Sequence, residues 1–263
     1  MPVIITRRPI VGNLGTFNPL DLSNRKILVT GASSGIGRAT AIYLSKLGAR
    51  LVITGRNQQR LNDTMQQLSG SGHLQIIADL SELEDMGSIF DQATKDDVKL
   101  NGLVHCAGIT KVIPLNGLTR MKMLEEMNIN YFTFIELVRQ YAKRKYSDAG
   151  SIVGISSIAG DRAGQCQTSY AASKAAMDIS VQTLSIELVK KGIRINTVLP
   201  GLLRTEMVLR DEYIGPDLDD VRKIQLLGLG EADDVAGACA FLISDMSKFI
   251  TGRRLFVDGG SFS

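Results

Sequence analysis

Tyr170 and Lys174 lie four positions apart in SYAASK, an alanine-rich stretch that predicts the beginning of a helix. Side chains at positions i and i+4 of a helix share one face, so the phenol and the ammonium can reach toward one point. A unit positive charge about 4 Å from a phenol, at an effective dielectric of about 20, favours the phenolate by roughly 4 kcal/mol. The pair therefore suits proton transfer, and a core tyrosine beside a lysine with an exposed head group is the alternative interpretation.

A second group of residues suits the binding of a phosphate. TGASSGIG follows the apolar run RKILVT and precedes a helical pattern, and its glycines are Gly31, Gly35 and Gly37. Glycines let the backbone turn sharply and approach a pyrophosphate, while the next helix presents N–H groups to the anion. The spacing is G-x-x-x-G-x-G, which differs from the commoner G-x-G-x-x-G. Its position between a strand and a helix favours a dinucleotide site over a simple tight turn.

These residues need a framework, and seven short apolar runs are predicted to be its strands. The runs are RKILVT, RLVITG, LQIIAD, GLVHCA, SIVGIS, RINTVL and RRLFVD. They are rich in Val, Ile and Leu and mostly lack polar alternation, as expected of strands covered on both faces. Because they alternate with helical patterns, the sequence predicts an α/β, Rossmann-like fold: a doubly wound, mostly parallel seven-stranded sheet with helices on both faces.

The composition bounds the class of protein. The 263 residues are interpreted as an N-terminal arm, residues 1–24, and a single domain, residues 25–263. The 30 Lys and Arg residues barely exceed the 27 Asp and Glu residues, so neither nucleic acid nor an anionic membrane is an expected partner. Cys106, Cys166 and Cys239 are too widely spaced for a disulfide framework or a zinc site, so we expect no metal and a cytoplasmic location.

TGASSGIG together with YAASK makes the chain similar to the short-chain dehydrogenase/reductase family in its single-domain form, from about residue 24 to the end. The resemblance implies hydride transfer between a nicotinamide cofactor and a carbonyl or alcohol substrate. It implies that Tyr170 donates or accepts the proton, and that Lys174 binds the nicotinamide ribose and lowers the pKa of the tyrosine. Ser157, thirteen positions before Tyr170, matches the serine that holds the substrate oxygen, whereas Ser156 is expected to support the strand.

The family also uses an asparagine in the helix after the fourth strand. MNINYF offers two candidates, Asn128 and Asn130. Placing Met127 and Ile129 on the apolar positions of that helix selects Asn130, with Asn128 as the alternative. By analogy, Asn130 would hold a water that connects the site to solvent. An asparagine within a helix is mildly unfavourable, so its presence in an apolar stretch favours a specific role.

The residues after the second strand bear on the choice of cofactor. Where NAD-binding folds place an acidic residue, RLVITGRN has Gly55 followed by Arg56. A guanidinium suits a 2′-phosphate, so NADP(H) is favoured and NAD(H) is possible, while a solvated loop arginine is the alternative. Asp79 resembles the family aspartate that meets the adenine ring, with Leu80 beside it, although Asp79 could instead cap a helix.

HCAG, residues 105–108, stands where the family has N-N-A-G, so His105 and Cys106 replace two asparagines. We expect His105 to be a satisfied structural histidine. LPGLLRTEM, which ends the sixth strand, also resembles a cofactor-binding segment. In full, the resemblance implies cofactor contacts from Gly31, Ser33, Ser34, Gly35, Ile36, Gly37, Arg56, Asp79, Leu80, Cys106, Ala107, Gly108, Tyr170, Lys174, Pro200, Gly201, Leu203 and Thr205.

Residues from Glu206 to about Gly230 stand where the family keeps a mobile substrate lid. Its apolar residues could cover an apolar substrate or pack against the sheet: Met207, Leu209, Tyr213 and Ile214. The chain looks most similar to 3-oxoacyl-acyl-carrier-protein reductases, whose relatives include sugar, polyol and small-ketone dehydrogenases that use NAD. An acyl-carrier-bound substrate is therefore one possibility among carbonyl and alcohol substrates.

The basic run 143–145 could receive an acidic carrier protein, or it could be a solvated helix end. The family pairs subunits through two long helices, which predicts a homotetramer or homodimer with apolar surface from FTFIELV and AAMDISVQTL. A non-catalytic dinucleotide sensor or scaffold is the alternative of another class. The presence of Ser157, Tyr170 and Lys174 argues against it, since such a protein needs only the nucleotide turn.

Overall fold

The protein is described by a computed structural model that covers residues 18–81, 86–206, 221 and 224–261. Within these ranges the strands are β1 Lys26–Thr30, β2 Arg50–Gly55, β3 Leu74–Ile77, β4 Gly102–His105, β5 Gly150–Ile155, β6 Ile193–Pro200 and β7 Arg254–Val257. They form one parallel sheet in the order β3-β2-β1-β4-β5-β6-β7. The predicted α/β sheet is confirmed.

Helices cover both faces of the sheet. They are α1 Gly35–Lys46, α2 Gln58–Met65, α3 Met86–Ala93, α4 Arg120–Met127, α5 Thr133–Tyr141, α6 Thr168–Leu188 and α7 Ala232–Ile243. A turn of π-helix, Asn128–Phe132, joins α4 to α5. None of the helices in the described ranges combines the length and apolar character needed to cross a bilayer.

The sheet separates two apolar cores because successive side chains of a strand point to opposite faces. On β4, Leu103 packs into the core under α3, α5 and α6, whereas Val104 packs into the core under α1 and α7. All five residues of β1 are buried, which is why KILVT carries almost no polar alternation. Burial of both faces fixes the register of the strands and therefore the positions of their ends.

The site lies at the edge of the sheet where the parallel strands end. β1 pairs with β2 on one side and with β4 on the other, so the chain reverses its winding between β1 and β4. Thr30 and His105, the last residues of these two strands, are register partners. Ligands of open parallel sheets bind at such a reversal, beyond the carboxyl ends of the strands. We call the space beyond these strand ends the crevice.

The predicted N-terminal arm lies partly within the described residues. Leu22 is fully buried, and its N–H donates to the carbonyl of Leu47 at the end of α1 over 2.9 Å. Leu22 therefore packs with the fold, while residues 1–17 lie outside the described ranges. The division at residue 24 stays a prediction.

Candidate active site

The turn between β1 and α1 has one packed side and one open side. A Cβ on Gly31, whose φ is +66°, would lie 2.7 Å from the amide nitrogen of Ala107, and a Cβ on Gly37 would lie 2.2 Å from the Gly31 carbonyl oxygen. Only glycine fits such contacts. At Gly35, whose φ is +50°, an added Cβ would meet nothing within 4 Å. The turn thus packs against the segment that follows β4 and leaves space on its other side.

The first turn of α1 is suited to bind an anion. Ser34 is the extended N-cap residue of this 12-residue helix, and its side chain makes no capping hydrogen bond. The N–H groups at the start of a helix have no intrahelical acceptors, and with the helix dipole they favour a phosphate. The open space at Gly35 and the uncapped helix end together fit the pyrophosphate of a dinucleotide.

The end of β2 meets this turn through Ser33. The Ser33 carbonyl accepts a 2.6 Å hydrogen bond from Arg38, and its Oγ lies 3.2 Å from where a Cβ on Gly55 would stand. A side chain at position 55 would press on this hydroxyl. The next residue, Arg56, has a side chain that is 66% exposed and lies 3.7 Å from Asp79. The Ser33 hydroxyl and the residue Arg56 therefore both adjoin Gly55, which has no side chain to fill the space between them.

Asp79 is held by its own chain. Its Oδ1 accepts from both the N–H and the hydroxyl of Ser81, over 3.0 and 2.8 Å, and the Ser81 N–H is the main reason that the pKa of Asp79 lies below its ordinary value. Leu80 is 6% exposed and its side chain packs into the core under α3, so its predicted cofactor contact stays a prediction. These hydrogen bonds close a local turn, and both the predicted adenine contact of Asp79 and the alternative helix cap stay predictions.

His105 is fully buried at the end of β4. Its Nδ1 is paired with the Thr30 hydroxyl over 2.9 Å, but Nε2 has no hydrogen-bond partner among the described residues. Burial, with a contribution from Lys174, lowers the pKa of His105 to about 3, so the imidazole is neutral. Thr30 thus pairs with one ring nitrogen, and the satisfied structural histidine stays a prediction. Burial also raises the pKa of the Cys106 thiol well above its ordinary value.

Asn130 is fully buried in the π-helical turn. Its Oδ1 accepts from the Ile109 N–H over 2.8 Å, and its Nδ2 donates to the Ile109 carbonyl over 2.9 Å and to Ser173 Oγ over 3.0 Å. Asn128 instead donates to the Ser81 carbonyl. Both hydrogens of the Asn130 amide are thereby used, so a water would meet only the second lone pair of Oδ1. The predicted water bridge stays a prediction.

Lys174 reaches the same point as Asn130. A Cβ on Gly108 would lie 3.1 Å from Asn130 Oδ1 and 3.4 Å from Lys174 Nζ, so Gly108 separates the two groups. Lys174 is 4% exposed, and its Nζ donates to the Ile155 carbonyl over 2.8 Å. Burial lowers the pKa of Lys174 to about 8, and the negative charge of Asp178 opposes that fall.

Tyr170 and Lys174 share a face of α6, as their spacing predicts. Lys174 Nζ lies 5.7 Å from the centroid of the half-buried Tyr170 ring. One turn further along α6, Asp178 is 3% exposed, and neither carboxylate oxygen makes a hydrogen bond of ordinary geometry in the described ranges, although the Thr197 and Ser156 hydroxyls lie near enough to lower its pKa. Burial raises the pKa of Asp178. The sequence analysis missed this third residue, although the spacing of four that links Tyr170 to Lys174 also links Lys174 to Asp178.

The two serines after β5, Ser156 and Ser157, have different surroundings. Ser156 is buried and its Oγ donates to the Lys174 carbonyl over 3.3 Å. Ser157 is half-buried and begins a short 3-10 turn, where its Oγ accepts from the Ala159 N–H over 3.1 Å. Because a hydroxyl that accepts still has its proton to donate, Ser157 can offer a hydrogen bond to a substrate oxygen.

The segment after β6 packs closely beneath the crevice. A Cβ on Gly201 would lie 2.3 Å from Gln225 Oε1 and 2.8 Å from Asp258 Cα, which explains the glycine after Pro200. Leu203 is 4% exposed in the core under α7, and its carbonyl accepts from the Thr205 N–H. The apolar residues predicted for the lid lie outside the described residues: Met207, Leu209, Tyr213 and Ile214.

The basic run 143–145 lies at the other end of the sheet, where β4 begins. The carbonyl of Tyr146, which follows the run, accepts from the Leu100 N–H just before β4 begins. Lys145 pairs with Asp91, and Lys143 donates to Gln140. Docking of an acidic carrier protein on this run stays a prediction, as does the alternative of a solvated helix end. In the described residues, no group of three His, Cys, Asp or Glu side chains suits a metal.

Comparison with known proteins places the geometry in context. A family model described as enoyl-(acyl carrier protein) reductase matches residues 31–261. Carbonyl reductase family member 4 of Danio rerio is 34% identical over 239 residues, covering 90% of this chain and 98% of the relative. The 3-oxoacyl-[acyl-carrier-protein] reductase FabG of Rickettsia conorii is 33% identical over 246 residues, covering 92% and 98%. A solved short-chain type dehydrogenase/reductase of Mycobacterium ulcerans superposes with a TM-score of 0.84 at 31% identity, covering 91% of this chain and 90% of that one.

Proposed function

The chain belongs to the short-chain dehydrogenase/reductase family, and from that premise we propose that it is an NADPH-dependent reductase of carbonyl compounds, with 3-oxoacyl thioesters as the favoured substrate class. Oxidoreductase chemistry comes with the family. The finer assignment is supported by the similarity to an acyl-carrier-protein reductase and a carbonyl reductase. The observation that carries the proposed carbonyl reduction is the buried ammonium of Lys174, 5.7 Å from the Tyr170 ring.

Tyr170 is proposed as the acid and base. A nicotinamide cofactor, when bound, supplies the hydride for reduction and accepts it for oxidation. As negative charge develops on the substrate oxygen, the Tyr170 hydroxyl donates its proton to that oxygen. The Lys174 charge stabilises the resulting phenolate, which has an ordinary pKa of about 10. The same charge makes proton removal from an alcohol feasible in the reverse direction.

Ser157 and Asn130 are proposed to support this step. The Ser157 hydroxyl, fixed by its bond to the Ala159 N–H, donates to the substrate oxygen as charge develops there. Asn130 holds Ile109 by both its N–H and its carbonyl, so it fixes the segment that follows Gly108. We assign Asn130 a positioning role, because its amide has no hydrogen left to donate to a substrate.

The NADPH preference is proposed from the end of β2. Gly55 provides no carboxylate to accept from a ribose hydroxyl, and Ser33 Oγ lies beside it. Arg56 is mostly exposed, and its 3.7 Å contact with the half-exposed Asp79 is of the kind that contributes little energy. Arg56 can therefore leave Asp79 for a 2′-phosphate at small cost. The cofactor contacts proposed for the glycine turn and for residues 106–108, 200, 201, 203 and 205 accompany this assignment.

We also propose a homotetramer or homodimer in the cytoplasm. Exposed apolar side chains along α6, Ile179 at 62% and Ile186 at 72%, supply surface that a second copy would cover. All three cysteines are free, which suits a reducing compartment. Sedimentation analysis at several protein concentrations tests the assembly, and a monomer at all of them contradicts it.

The function is tested by following NADPH and NADH consumption with a panel of 3-oxoacyl thioesters, small ketones and sugars. We expect the fastest turnover with NADPH and a 3-oxoacyl thioester. Faster turnover of a ketose with NADH would replace this assignment with the sugar or polyol dehydrogenase alternative. Tight binding of a nicotinamide cofactor without turnover of any compound would favour the dinucleotide sensor.

A further inference from the structure

We propose that Glu126 is a positioning residue that fixes Tyr170 by joining the beginning of α6 to the segment after β4. This inference rests on the proposed function only for what Tyr170 does. Glu126 lies in the last turn of α4 and is fully buried. One carboxylate oxygen accepts from the Lys111 N–H over 2.9 Å, and the other accepts from the Ser169 hydroxyl.

The connection made by Glu126 repeats the one made by Asn130 one helical turn later. Asn130 binds Ile109 on the segment after β4 and Ser173 on α6, whereas Glu126 binds Lys111 and Ser169. The partners are two residues apart on the extended segment and four apart on α6, as two parallel cross-links require. The catalytic residues come directly after the two serines: Tyr170 follows Ser169, and Lys174 follows Ser173.

Burial makes the hydrogen bonds of Glu126 necessary. A buried carboxyl group is unfavourable unless hydrogen bonds satisfy its oxygens. Lys111 reaches Glu126 through its backbone N–H, while its ammonium pairs with the adjacent Glu125 over 2.5 Å. Both oxygens of Glu126 are satisfied by donors from the two elements that it joins. An apolar residue would fill the space at lower desolvation cost but could not join them.

The experiment compares three variants with one control. Glu126→Met removes the cross-link, Ser169→Ala removes its α6 half, and Glu126→Gln keeps it, since an amide can bind both partners as Asn130 does. Glu125→Gln is the control because Glu125 is the neighbouring residue and contacts the side chain of the same lysine. Each is measured for kcat, substrate KM, NADPH affinity, thermal stability and hydrogen exchange of α6.

We expect Glu126→Met and Ser169→Ala to lower kcat by about 10- to 100-fold, as misplacement of a reacting group does, with NADPH affinity and KM changed by less than about threefold. Exchange in the first turn of α6 becomes faster in both. Glu126→Gln keeps most of the activity, and Glu125→Gln matches the wild type. Ser169→Ala keeps the test decisive if Glu126→Met does not fold.

Two outcomes overturn the proposal. Wild-type kcat and unchanged exchange in Ser169→Ala would show that the cross-link positions nothing. Equal losses in Glu126→Gln and Glu126→Met would assign the effect to charge and not to the cross-link. If the wild type reduces no carbonyl compound, the proposed function fails, while the exchange rates in α6 still decide whether Glu126 fixes the Tyr170 turn.

Discussion

The two ends of the crevice are built differently. At the catalytic end, which we call the deep end, Asn130 and Lys174 are buried and held by hydrogen bonds of 2.8 to 3.0 Å. At the end assigned to the adenosine, Arg56 and Asp79 are 66% and 44% exposed and 3.7 Å apart. Burial strengthens electrostatic interactions and makes each lost partner costly, whereas solvent weakens an exposed pair. The proposed chemistry therefore depends on the buried deep end, and the proposed cofactor choice depends on an exposed pair that can rearrange.

The largest effect is expected at the deep end, from Tyr170→Phe. The variant keeps the ring and removes the acid, so kcat should fall by about 10²- to 10⁴-fold, the usual contribution of a positioned acid or base. NADPH affinity, measured by fluorescence titration, should stay within about threefold. Wild-type turnover by this variant would remove Tyr170 from the mechanism.

Asn130→Ala should show how much the deep end depends on its hydrogen bonds. The change leaves the Ile109 N–H and carbonyl without their partner, and we expect the free energy of unfolding in urea to fall by about 3 kcal/mol. Asn128→Ala is the matched control because Asn128 makes one 3.2 Å bond to Ser81. Similar losses in both variants would contradict the distinction drawn between the two asparagines.

Arg56→Ala tests the open end. We expect NADPH affinity to fall by about 10- to 100-fold through loss of a charged hydrogen-bond donor, while NADH affinity changes by less than about twofold. Arg60→Ala is the control, since Arg60 pairs with Glu206 over 2.8 Å. Equal losses of both cofactors would refute the NADP(H) assignment but leave the fold and the catalytic end intact.

The pH dependence sharpens the contrast, because Lys174 should make activity and stability change in opposite directions. Its pKa is about 8 in the folded protein, below the ordinary 10.5, so the folded state loses the proton first as pH rises. The rate should fall about tenfold per pH unit above pH 8, whereas the free energy of unfolding should rise by up to about 1.4 kcal/mol per pH unit toward pH 10. Lys174→Met should lack this contribution to the rise. If the free energy of unfolding changes with pH in the same way in the wild type and in Lys174→Met, the low pKa assigned to Lys174 is wrong.

Much of the deep end was predictable because its signals are local. The spacing of Tyr170 and Lys174 and the glycine turn each lie within eight residues, and the apolar positions of one helix selected Asn130. Glu126 could not be predicted in this way. Its partner Ser169 is 43 residues away, and their contact depends on how α4 crosses α6.

Two other features also depend on how separate elements pack. The basic run 143–145 matches an acidic partner by charge, but its place beside the beginning of β4 depends on the hydrogen bond between Leu100 and Tyr146. His105 matches a structural histidine by position, but whether Nε2 finds a partner depends on groups from other elements. Sequence patterns report the face on which a residue lies, and the packing of separate elements decides what it meets there.

The π-helical turn Asn128–Phe132 has a consequence for how this chain tolerates insertions and deletions. Such a turn accommodates one residue more than an α-helix would, which offsets the angular phase of α4 from that of α5. Deleting one residue there would rotate one helix against the other by about 100°. Glu126 could then no longer face α6 while Phe134 stays in the core. A one-residue deletion in this turn should therefore be more damaging than the loss of any side chain within it.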